Sequence, residues 1–180
     1  MQIQPFHIFL FIHLACLITG FGAVLVLDTF GLLWLLKKIP LSLVNKVAHV
    51  TQRLIWLGWF GMVASGLGLI IIKGYVDNLT VIKLFFVAMV GLNGVWLHFI
   101  KKSITNLGDN EPMPLLIKFR MFLATTISQT GWWGAILIGF VHRHIQHNIP
   151  WPANPWIYIF LIAGVFAVAL AAGELALKKS

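Results

Sequence analysis

The stretch HRHIQH at 142–147 places His142, His144 and His147 within six residues. Imidazole is the commonest protein ligand for copper, zinc and haem iron, because it is largely neutral near physiological pH. On a continuing helix His144 and His147, three residues apart, share a face, while His142 and His144 point to nearly opposite sides. Three chemistries fit the stretch: copper or zinc capture, a haem ligand or propionate contact through His142 or Arg143, and a polar interfacial loop without a ligand. The other histidines, His7, His13, His49 and His98, are scattered along the chain. Cys16 is the sole cysteine, which excludes an intrachain disulfide and a thiolate cage. Any metal is therefore held by nitrogen or oxygen.

These residues sit in a chain that is 59% apolar and only 10% charged, with a mean hydropathy of +0.91. That composition excludes an ordinary soluble domain. Apolar runs close to or above the roughly 20 residues that cross a bilayer recur at 6–36, 54–72, 81–100, 115–141 and 156–177. Backbone in hydrocarbon must satisfy its own hydrogen bonds, so each run is expected to be a helix. The fold class expected is all-α and integral to the membrane, a five-transmembrane-helix bundle forming a single domain over 1–180. The first run is expected to be a span and not a cleaved leader, because no basic residue precedes it and the apolar stretch continues to Leu36.

The net charge of +8 flanks the spans instead of forming a basic stripe, so nucleic acid is not the expected partner. With the N-terminus outside, the inner side holds Lys37, Lys38, Lys46, Arg53, Lys101, Lys102, Lys118, Arg120, Lys178 and Lys179, and the outer side Lys73, Lys83 and Arg143. Ten against three favours the N-terminus outside and the C-terminus inside. The location expected is a bacterial inner (plasma) membrane. GDNEPMP at 108–114 and NIPWPANPW at 148–156 break the chain between helices. Ala15, Thr19 and Ala23, then Gly58, Gly61, Gly66 and Gly68, then Gly91 and Gly94, permit close helix approach and a homodimer.

Polar residues within a span usually face the bundle interior. His13 lies about 10 Å below the outer boundary and Asp28 about 12 Å above the inner one, at 1.5 Å per residue. His13, Gly20, Val24, Asp28 and Gly31 share one stripe of the first helix, and Lys83, Val90, Gly94 and His98 one stripe of the third. His49 and Arg53, one turn apart, enter near the depth of Asp28, and Arg53 is the expected ion-pair partner of Asp28, a proton-handling role being the alternative. In TTISQT at 125–130 the hydroxyls can return to the preceding turn, which leaves Gln129 in need of a partner. Histidines on four helices permit axial pairs, His13 with His142 and His49 with His98, each holding a haem. The opposing reading of the terminal histidines is simply interfacial.

FIHLACLITGFGAVLVL at 11–27, QRLIWLGWFGMVASGLGLI at 52–70 and VIKLFFVAMVGLNGVWLH at 81–98 resemble the first three helices of the small membrane protoporphyrinogen oxidases of the HemJ type and of the CopD-type copper-resistance proteins. The resemblance covers about the first hundred residues. It implies a haem b within a helical bundle, with His13 as ligand and Lys83 nearby, and for the HemJ type the six-electron oxidation of protoporphyrinogen. Val81 and Ile82 stand where that family has an aromatic residue and a histidine.

Three function classes follow. The first is a haem b-binding membrane redox protein, passing electrons to a redox partner or acting in porphyrin metabolism. The second is a metal or small-solute transporter using Asp28, Arg53, Lys83 and Gln129. The third is an accessory subunit of a membrane complex. No nucleophile–base pair, phosphate loop or zinc-hydrolase motif is present, which argues against hydrolysis.

Overall fold

The structure, a computed structural model, describes residues 4–104, 113–144 and 152–178, without the side chains of 102, 103 and 143. All regular structure among them is helical: α1 (Pro5–Leu35), α2 (Leu41–Lys73), α3 (Asn78–Ile104), α4 (Leu115–His144) and α5 (Pro155–Leu177). The helix ends have local causes. Pro5 and Pro155 open α1 and α5, where the missing N–H would lack a helical partner in any case. Asn154 caps α5 by accepting from the Trp156 N–H at 3.0 Å. Asp77 caps α3, its Oδ1 accepting from the Thr80 N–H at 2.8 Å and the Thr80 hydroxyl at 2.6 Å. Gly74, at φ +78°, closes α2 in the left-handed conformation that glycine adopts without strain. α1 instead ends through Lys37 at φ +57°, with the Lys37 N–H bonded to the Trp34 carbonyl and Pro40 close behind.

Four helices, α1, α2, α3 and α5, are long and apolar enough to cross a membrane. α4 matches them in length at 30 residues, but Thr125, Thr126, Ser128, Gln129 and Thr130 dilute its middle. α2 opens at Leu41 instead of near residue 54, because Leu41, Val44 and Thr51 continue its buried face beyond the apolar run. At 33 residues α2 is about 50 Å long, well beyond the roughly 30 Å hydrocarbon thickness.

The chain divides into two compact units, one built from α1 and α2 and the other from α3, α4 and α5. In the first, α1 and α2 run antiparallel and interlock through small residues. A Cβ on Gly58 would lie 2.5 Å from the Gly20 backbone, Gly61 faces Cys16, and Gly68 receives the Phe9 ring. Phe9, His13, Cys16 and Gly20 therefore meet Gly68, Ser65, Gly61 and Gly58 in order, each set on one helical face. In the second unit Ile82, Phe86 and Ala135 form the core, with Val90 and Phe86 seated against Gly131 and Gly134. α5 buries only 6% of its most apolar window, against 39% for α3, so it presents apolar surface on nearly every side. Such a surface is at home in hydrocarbon and not in water.

Candidate functional site

His13 is buried, at 7% exposure, in the middle of the α1–α2 interface. Its Nδ1 lies 2.9 Å from the Met62 carbonyl oxygen and 3.1 Å from Ser65 Oγ. A carbonyl only accepts, so Nδ1 carries the proton and donates it. Ser65 turns its own hydroxyl hydrogen to the Gly61 carbonyl at 2.6 Å, leaving a lone pair toward Nδ1–H. In the neutral imidazole the basic lone pair is then on Nε2. A carbonyl holding the far ring nitrogen is the usual device that fixes the tautomer and orientation of a metal-ligating histidine. Gly66 makes room for the ring, since a Cβ there would stand 3.2 Å from His13 Cε1. The expected stripe of α1 is largely its buried face: His13, Gly20 and Val24 are buried and Asp28 is half-buried.

His49 and Arg53 do not join this site. Along α2 they lie about 24 Å and 18 Å from Ser65, at 1.5 Å per residue. Both are exposed, and among the described residues the expected ion pair between Arg53 and Asp28 is not formed. The reason is azimuth. Thr51 is buried on the face toward α1, and Arg53, two residues on, is turned about 200° away. His49 and Arg53 share that outer face with Lys46, Trp56 and Phe60, and the Trp56 and Phe60 rings stack at 5.6 Å.

In the α3–α5 unit Asp77, Lys83 and His142 lie at the end where α3 begins and α4 finishes. His142 Nε2 is 3.1 Å from Asp77 Oδ2, so the carboxylate that caps α3 also holds His142. Lys83 runs alongside Gly139, one turn before His142, with Nζ 3.5 Å from where a Cβ would stand. Lys83 and His142 are thus brought to the same end, whereas His98 is exposed about 22 Å farther along α3. His144 is exposed, its Nδ1 3.1 Å from the Phe140 carbonyl and its ring stacked on Phe140. α4 reaches His144, so His142 and His144 lie on the helix, beyond the expected end of the apolar run at 141, and His147 lies outside the described residues. Among the described residues no three of His, Cys, Asp and Glu come together as a metal cluster. Gln129 is half-buried, and Thr126 returns its hydroxyl to the Phe122 carbonyl as the run TTISQT suggests. The two axial pairs, His13 with His142 and His49 with His98, each draw one histidine from either unit.

Several residues escaped the sequence reading. Asp77 carried a signal, an acid three residues before Thr80 at the start of an apolar run. Asn93 is 5% exposed and donates from Nδ2 to the Ala124 carbonyl at 2.8 Å, while its Oδ1 has no partner among the described residues. Arg120 and Glu174 form a two-pronged ion pair between α4 and α5, at 2.5 and 2.9 Å, beside the Phe119 ring on Gly173. Ser65 carried no signal, because only the pairing of α1 with α2 makes it a partner of His13. Neither a family model, nor a curated protein, nor a solved structure matches this chain.

Proposed function

We propose that this chain is an integral membrane protein that binds haem b through His13 and works in electron transfer or porphyrin metabolism. The observation that carries the reading is the fixed imidazole: Nδ1–H held by Met62 and Ser65, with the basic lone pair on Nε2, in a buried position between two apolar helices. This donor suits haem iron, for which a neutral, oriented histidine is the common axial ligand. One-electron exchange is the chemistry that haem iron supplies when bound. The role of the chain is to hold the ligand nitrogen, to keep its tautomer, and to exclude water around it by the close approach of α1 and α2. His142 serves differently, because its Nε2 faces Asp77 and its proton belongs to that pair.

In this reading all five helices cross a bacterial inner membrane, with the N-terminus outside as the basic residues direct. The polar middle of α4 is carried by packing against α3, where Ala124 meets Asn93, Gly131 meets Val90 and Ala135 joins Ile82 and Phe86. The test is an optical spectrum of the detergent-purified protein from haem-replete cells, air-oxidised and then dithionite-reduced, with pyridine haemochrome quantification. Near-stoichiometric haem b is the expected result, and a colourless protein would overturn the reading. A second reading is favoured by the same hydrogen bonds, because they also strap α1 to α2. An accessory subunit that uses His13 only as a strap would lose yield in His13→Ala without ever having shown a chromophore.

A further inference from the structure

α2 has a second face, opposite the one that packs on α1. Lys46, His49, Arg53, Trp56 and Phe60 recur at three- and four-residue intervals and fall within about 80° of one another at 100° per residue. Lys46, His49, Arg53 and Phe60 are exposed, and no hydrogen bond or ion pair among the described residues engages the three basic groups. α2 contains no Asp or Glu, so nothing on the helix itself neutralises them.

Depth sorts this face into two zones. Lys73 ends the helix, and Arg53 lies twenty residues before it, about 30 Å away, which is the thickness of the hydrocarbon. If Lys73 marks one boundary, Arg53 stands at the other. His49 and Lys46 then lie about 6 and 10 Å beyond it, in the headgroup layer, while Trp56 and Phe60 lie about 4 and 10 Å inside the hydrocarbon. Basic groups in the headgroup layer above a stacked aromatic pair in the acyl layer match an amphiphile with an anionic head and an apolar body. We propose that this face of α2 is a binding site for an anionic phospholipid, with Arg53, His49 and Lys46 around the phosphate and Trp56 and Phe60 against the upper acyl chain. The site is independent of what His13 binds.

Native mass spectrometry of the full chain in non-ionic detergent, titrated with phosphatidylglycerol or phosphatidylcholine, tests it. The set comprises wild type, Arg53→Gln, Lys46→Gln with Arg53→Gln, the charge-preserving Arg53→Lys, and Lys118→Gln as a control on α4. Phosphatidylglycerol is expected to bind more tightly than phosphatidylcholine, and each cation removed from the face to weaken it about fivefold. Arg53→Lys and Lys118→Gln should stay near wild type, and millimolar inorganic phosphate should not displace the lipid. Equal retention of the two lipids, an equal loss in Lys118→Gln and Arg53→Gln, or displacement by inorganic phosphate would overturn the proposal.

Discussion

Substituting Gly58 by alanine adds one methyl group at the tightest point between α1 and α2. The new Cβ would lie 2.5 Å from the Gly20 Cα and N and 2.7 Å from the Cys16 carbonyl oxygen. Carbon atoms rest at roughly 3.5–4.0 Å, so the overlap is about 1 Å against backbone, which has no rotamer to turn away. The helices must separate by a similar distance, at a cost of about 1–3 kcal/mol. The same separation would stretch the 2.9 Å contact of His13 with the Met62 carbonyl out of bonding range, for a further loss of about 0.6 kcal/mol. Alanine's better helix propensity offsets up to about 1 kcal/mol of this. The net expectation is a destabilisation of about 1–2 kcal/mol. Gly22→Ala is the matched control, because nothing lies within 4 Å of its added Cβ and it retains only the propensity gain. Reversible unfolding by SDS titration in mixed micelles should separate the two variants by about 2–3 kcal/mol. Equal stabilities would refute the close α1–α2 approach, and with it the geometry that holds His13.

Four further substitutions follow from the same structure. Lys37→Gly should stabilise the protein by about 1 kcal/mol in the same titration, because it relieves a left-handed backbone that costs a side chain roughly that much. Asn93→Leu should be neutral or stabilising within about 1 kcal/mol, since the lost bond to the Ala124 carbonyl is balanced by removal of a buried acceptor without a donor. Asp77→Ala should cost about 1–2 kcal/mol through the lost cap of α3 and release His142, seen as a changed His142 ring environment by NMR. Glu174→Gln should lower the unfolding midpoint, and adding Arg120→Gln should lower it little more, because the two prongs of one ion pair are lost only once.

The positions of the helices were legible because an apolar run of span length in lipid has few alternatives to a helix. The start of α2 was not, since residues 41–52 are amphipathic and announce themselves through period, not hydropathy. The glycines of α2 read correctly as points of close approach, and Gly58, Gly61 and Gly68 each meet a residue of α1. The pairing of Asp28 with Arg53 shows how depth alone misleads. Arg53 is turned away from α1 by the two-residue step from Thr51, and that azimuth depends on which face of α2 carries the small residues. His13 stood out as a deep polar residue, yet Met62 offers a backbone carbonyl, and no side-chain pattern foretells which carbonyl a histidine will reach. Asn93, in the middle of VGLNGV, was a mid-span amide as conspicuous as Gln129 and is the more deeply buried of the two.

Chemical rescue tests the central claim most directly. His13→Gly removes the imidazole and leaves its space, and the variant is purified with and without added imidazole and read by its Soret and α bands with haem quantification. If His13 Nε2 would hold the haem iron, the variant should lose haem, and imidazole should restore it. A His13→Gly protein that keeps the wild-type spectrum and stoichiometry without imidazole would contradict the account.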